Sequence, residues 1–218
     1  MPQKTQAAVM HSLLEHRVDF AEPILAKWDP QGSLAPALIG AFRPWNLSLE
    51  NVSWKSLPNN AAEIEIKFDL MPGKMAFHVA LGNARLWVQS PTRSETQLYA
   101  DVAEAGVGAL RASVAAIIQT HTASLSQHVQ PTGASILGLT SKFVQWKTQT
   151  ESASVRCYGF SVYRDDGFYV VDASAAFKDS LFIRIARTFP GDTAFLAMAD
   201  RIYEDEDRVL DELQLELA

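Results

Sequence analysis

Five histidines, one cysteine and a scatter of carboxylates are the residues of this 218-residue sequence that could do chemistry. The histidines are His11, His16, His78, His121 and His128. No two of them form His-x-x-x-His, and there is no His-Glu-x-x-His, the spacings that put two imidazoles on one helix face for zinc. His16 and His128 open two similar halves of the chain, where they could meet as a metal or acid–base pair. The ordinary expectation is a half-exposed strand histidine in each place. Cys157 is single, which excludes an intramolecular disulfide and any multi-thiolate metal site, and its setting reads as a strand with a small core residue. Gly133-Ala-Ser-Ile-Leu-Gly138 is one residue too long for a nucleophile elbow and lacks the Lys and Ser/Thr of a phosphate loop. Asp69, Asp165, Asp166, Asp172 and Asp179 fall near strand ends, where turns select Asp for its backbone hydrogen bonds. No carboxylate pair stands out as an acid–base couple. The sequence therefore predicts no catalytic residue, no metal and no cofactor, and leans away from an enzyme.

Binding chemistry has better candidates. Trp28 and Trp45 flank Asp29-Pro30 to Pro44 of a Pro-rich insertion near 23–44, and Trp87 lies on a strand; the three are candidate walls of a pocket for an apolar or aromatic ligand. The competing reading closes a satellite core with them. Arg184 sits among Leu181, Ile183 and Ile185, so it faces away from the apolar side of its strand. With Arg156 across the sheet it is a candidate anion-binding face, in competition with ordinary cross-strand pairing to acids.

The elements that must position these residues come in a repeated order. Val52-Ser-Trp54-Lys55 and Val144-Gln-Trp146-Lys147 share Val-x-Trp-Lys, and similar signals follow each. In the first half, Ile64, Ile66, Phe68 and Leu70 alternate on one strand face. Met71-Pro-Gly-Lys74 turns the chain, strands follow over 75–81 and 85–89, and Ser94-Glu-Thr-Gln97 has the form of a capping box. That box opens a helix expected over about 95–120, with Leu98, Val102, Leu110, Val114, Ile117 and Ile118 in its apolar stripe. Gly106 and Gly108 inside it each cost about 1 kcal/mol relative to Ala, which predicts a close helix approach. In the second half, strands are expected over 155–162, 168–173 and 181–187, with Asp165-Asp166-Gly167 as a turn. Asp192 or Thr193 then caps a terminal helix that runs through Leu213 and Leu217. Residues 6–20 and 123–130 are the expected opening strands, the first also suiting a helix, and 34–41 and 133–140 the short helices after them.

The implied fold class is α+β: internally duplicated β-α-β-β-β(-β)-α units, with long helices packed on one face of an antiparallel curved sheet. The first repeat spans 1–122 with the Pro-rich insertion, and the second spans 123–218 and ends in an acidic amphipathic helix. In element order, over roughly residues 6–217, this resembles the duplicated halves of TATA-box-binding proteins. No motif of that family is present, so none of its functional residues carries over.

Charge sets the chain apart from DNA-grasping saddles, which present Lys and Arg on an exposed sheet face. The net charge of −6 resides in residues 200–218, with eight acids and two Arg; the other residues hold 17 of each sign. No nucleic acid and no membrane are expected as partners. No apolar run reaches a membrane-spanning length, and Met-Pro-Gln-Lys-Thr-Gln lacks a signal core, so a cytoplasmic location is expected. A long sheet has edges to cover, so the expected role is a non-enzymatic binding or assembly module, a homo-oligomer with a dimer first, with a protein partner possible. The alternative is a small-molecule carrier or enzyme with an apolar cavity between sheet and helix.

Overall fold

The structure, a computed structural model, describes residues 4–24, 33–55, 64–143 and 157–218. It is an α+β fold whose described residues form ten strands, antiparallel except for the last, and four α-helices. The strands are β1 (Thr5–Phe20), β2 (Val52–Lys55), β3 (Glu65–Met71), β4 (Met75–Ala80), β5 (Asn83–Gln89), β6 (Ile118–Pro131), β7 (Phe160–Arg164), β8 (Gly167–Ala173), β9 (Leu181–Pro190) and β10 (Leu215–Leu217). The helices are α1 (Ala35–Phe42), α2 (Thr96–Val114), α3 (Ile136–Thr140) and α4 (Phe195–Leu213). No helix among the described residues is long and apolar enough to cross a membrane.

The chain divides into two compact units. The first comprises residues 13–123 and 188–200. Its strands lie in the order β2-β3-β4-β5-β1, followed by the opening residues of β6. Strict alternation gives β3 a buried face of Ile66, Phe68 and Leu70, as the sequence predicts. The turn 71–74 is closed by Lys74 N–H donating to Met71 O, and β4 pairs back from Met75. Helix α1 starts with Pro in its first turn, where the missing N–H costs nothing, and delivers Phe42 into the core. Phe42, Phe68 and Phe77 form an aromatic cluster with ring centroids 5.1–5.8 Å apart. Helix α2 packs on this cluster at Gly106. A Cβ there would fall 2.6 Å from Phe77 Cζ, so the glycine is a packing device.

Helix α2 departs from expectation at both ends. The Ser94–Gln97 capping box does not form: Glu95 stands at the N-cap and its side chain makes no capping bond. Its carboxylate instead takes bonds from Lys74 (2.7 Å), Thr92 (2.6 Å) and Tyr99 (2.6 Å), which hold its pKa down at about 2. The helix stops at Ala115, which adopts φ +49°, well before residue 120. Ile117 is therefore exposed and Ile118 begins β6, so neither belongs to the helix stripe.

The second unit comprises residues 1–12, 124–187 and 201–218, with strand order β10-β1-β6-β9-β8-β7. Val171, Ile183 and Ile185 of its sheet are buried, as are Ile202, Val209 and Leu213 of α4. A buried ion pair joins Arg187 to Asp205, with Asp166 on the same guanidinium and Arg164 3.3 Å from Asp205. Burial works to raise the Asp205 carboxyl, but the bond and charge of Arg187 outweigh it and hold it below the usual range. The segment 165–167 is the expected turn. Leu215–Leu217, expected in the terminal helix, leaves it at Gln214 (φ +59°) and pairs in parallel with Thr5–Ala7 of β1.

Candidate functional site

A concavity lies in the first unit where the second half of α2, one residue of β6 and the segment entering α4 come together. It is a half-open cleft of about 380 Å³ lined by Glu104, Gly108, Arg111, His121, Gly191–Phe195 and Val107. Each wall has a local cause. Helical spacing puts Glu104, Gly108 and Arg111 on one stripe of α2. Pro190-Gly191 ends β9, and Gly191 lies so close to β6 that a Cβ would sit 2.6 Å from Ile118 O. This approach brings the segment over His121, whose Nε2 is 3.1 Å from Gly191 O.

That contact fixes the chemistry of His121. A carbonyl only accepts, so Nε2 carries the proton and donates, leaving Nδ1 as an acceptor. Nδ1 is buried and has no partner, and the residue is only 2% exposed. Burial is the main cause that lowers the His121 pKa, against the pull of the Gly191 bond, so the ring is neutral at pH 7. Behind it, Phe195 presents its ring to His121 and to His16, at 5.1 Å in each case. His16 is 3% exposed and neither ring nitrogen has a partner. Burial, with a smaller effect of His121, pushes its pKa down to about 3.

Two further features complete the cleft. Arg111, an exposed residue, has its Nη2 3.4 Å from Gly191 O. Helix α4 opens without the expected cap from Asp192 or Thr193. Met198 N–H donates to Ala194 O, so Ala194 holds the cap position and its methyl group has no acceptor to offer.

The residues singled out from sequence do not gather in one place. Trp28 and Arg156 lie outside the described residues, as does Trp146. Trp45 is half-buried, with its ring 6.3 Å from Phe42, closing a small cluster beside α1. Trp87 lies on the polar face of β5, 4.4 Å from the His78 ring and under Arg85, beside a groove of about 140 Å³ that also includes Lys67, Asp69 and Lys74. Arg184 is exposed, opposite the apolar side as expected, with its guanidinium 5.8 Å from the Phe168 ring. Trp54 does not pack in a sheet–helix layer; it is 48% exposed on edge strand β2.

The histidines pair differently from expectation. His16 shares Phe195 with His121, whereas His128 lies 5.9 Å from His11 and 2.8 Å from Ser174 Oγ. Cys157 is half-buried, 3.7 Å from Thr140 Oγ1, and burial raises its thiol pKa. Among the described residues, no three His, Cys, Asp or Glu side chains are arranged to hold a metal ion.

Sequence reasoning missed Arg111, His121 as a wall residue, and the segment 191–195. Two faint signals were present: Gly108 on the outer side of α2, and a Pro-Gly pair just before a helix start. Against models of known protein families and against curated proteins, the chain finds no match.

Proposed function

We propose that this chain is a non-enzymatic binding module that holds a small polar molecule in the cleft between Arg111, His121 and the start of α4. The observation that carries the reading is a half-open cleft of ligand size, at which His121 and Arg111 both lie within bonding distance of Gly191 O. The carrier reading expected an apolar cavity between sheet and helix. The cleft that supports a carrier is instead polar and lies at the exposed side of α2, whereas at Gly106 the helix meets Phe77 and Phe42 so closely that a Cβ would not fit.

A second reading rests on the sheet edges. Among the described residues, strands β2 and β7 stand at the ends of the strand order and carry exposed Trp54 and Tyr163 (48% and 76%). Such edges favour self-association, and we read the order β-α-β-β-β-β-α followed by β-α-β-β-β-α as an internal duplication that supplies one edge from each half. Native mass spectrometry on protein purified without refolding tests both. Extra mass on each chain, lost in His121→Leu, is expected for the cleft. Bare chains that bind nothing in a small-molecule screen would overturn it, and a concentration-independent monomer would overturn the edge reading.

A further inference from the structure

We propose that His128 is a proton-operated latch in the second unit: neutral, it holds the turn that follows β8, and protonated, it releases it. The geometry rests on three bonds to one atom. Ser174 Oγ accepts from the backbone N–H of Phe177 (2.9 Å) and of Ala176 (3.2 Å), and lies 2.8 Å from His128 Nδ1. A hydroxyl has two lone pairs and one proton. The two N–H groups take the lone pairs, so the proton goes to His128. Its Nδ1 therefore accepts, and its Nε2 carries the ring hydrogen. Phe177 and Phe182 pack against the imidazole, with ring centroids 5.1 and 5.2 Å away. Ser174 N–H donates to Ser180 O at 2.8 Å. One serine thus closes the loop 174–180 at the backbone and ties it to β6 through its side chain.

A second ring proton does not fit this arrangement. Nδ1 would then point a hydrogen at an oxygen with no lone pair left and with its own proton in between. Either the ring turns away or the Ala176 bond, the longest of the three, is given up. The surroundings work in the same direction. Burial lowers the His128 pKa first, and the charge of His11 on β1, its ring centroid 5.9 Å away, lowers it further. The other charged groups of β8, β9 and the loop have different attachments. Asp172 accepts from Ala173 N–H, Arg184 lies over the Phe168 ring, Arg187 is held by Asp205, and Lys178 and Asp179 are exposed. The closed loop therefore loses stability as pH falls below about 6.5, the ordinary value that the ring regains once the loop opens. Opening takes Phe177 off the imidazole, so acid uncovers an aromatic ring that neutral pH keeps packed.

The test follows hydrogen exchange of the Ala176 and Phe177 amides in the ¹⁵N-labelled full chain between pH 7.5 and pH 5, corrected for the intrinsic rate. Opening at these amides should rise several-fold over that span. The limit is about thirtyfold, set by one histidine with an ordinary pKa in the open state. Ring nitrogen shifts at pH 7.5 should report the hydrogen on Nε2. His128→Asn keeps a hydrogen-bonding atom near the Nδ1 position and does not titrate in this range, so its amides should show no such rise. His11→Gln removes the neighbouring charge and should move the rise to higher pH. Hydrogen on Nδ1 at pH 7.5, or a rise that His128→Asn reproduces, overturns the latch. If His128→Asn does not fold, Ser174→Ala decides. It should open both amides already at pH 7.5 and remove their pH dependence, and a wild-type pH dependence in that variant overturns the latch as well.

Discussion

In the unit built from residues 1–12, 124–187 and 201–218, the buried Arg187 is held by Asp205 and Asp166, Gln127 donates to Glu206 at 2.6 Å while its own Oε1 has no partner, and the half-buried His128 meets Ser174. In the unit built from 13–123 and 188–200, His16 is enclosed with both nitrogens unbonded, and His121 keeps one. Strands β1 and β6 supply histidines to both units, so residue type does not explain the contrast. Surroundings do: a hydroxyl beside His128, the Phe195 ring beside His16. A histidine bonded to a hydroxyl has spent that hydrogen-bonding capacity on the fold, whereas His16 and His121 have capacity left, and the cleft lies beside His121.

The contrast can be broken at the paired end first. Asp205→Asn should leave the Arg187 charge buried without its counter-charge and cost about 3–5 kcal/mol in urea unfolding at pH 7. A loss under about 1 kcal/mol would mean that the pair is not what orders that unit.

At the unpaired end the effect appears on acidification. The His16 pKa is about 3 folded, against an ordinary 6.5, so between those values the unfolded chain binds more protons. Stability from the neutral ring is fully present above pH 6.5 and is lost as pH falls toward 3, at up to about 1.4 kcal/mol per unit. By pH 5 the wild type should have lost about 2 kcal/mol that His16→Leu keeps. Parallel curves for the two proteins would remove His16 as the cause. At pH 8 the same substitution removes two orphan nitrogens and should be neutral or stabilise by about 1 kcal/mol, measured by thermal unfolding.

The smallest change is expected at the surface. Arg184→Ala should shift stability by less than about 0.5 kcal/mol, because only an exposed ring contact is lost. A larger loss would reveal a role for the face that sequence patterning assigned to anions.

How legible these features were in the sequence follows from how local their causes are. Ile66, Phe68 and Leu70 alternate within one strand, and Pro72-Gly73 turns within four residues, so β3 and its hairpin could be read directly. Ala115 could not be read as a helix stop, because an alanine at φ +49° is held there by its surroundings against its own preference. Strand β10 is three residues long and owes its existence to Thr5–Ala7. The cleft takes its walls from α2, β6 and the entry to α4, and each residue has an ordinary local reading: Arg111 as a solvated helix face, His121 as a strand histidine, Gly191 as the end of a strand. Only their meeting in space gives them a shared chemistry.

The parallel pairing of β1 with β10 has a consequence for synthesis. Gln6 bonds to Glu216 across 210 positions of sequence, and Thr5 and Ala7 pair with Leu215 and Leu217. At ribosomal rates of about 5–20 residues per second, this edge of β1 waits roughly 10–40 seconds after it is made before its neighbour exists. During that interval it is a bare strand on a nascent chain, open to whatever extended peptide is nearby. Slow translation therefore prolongs the exposure of this edge, and a factor that shields emerging strands should raise the yield of folded protein more than one that assists the finished chain.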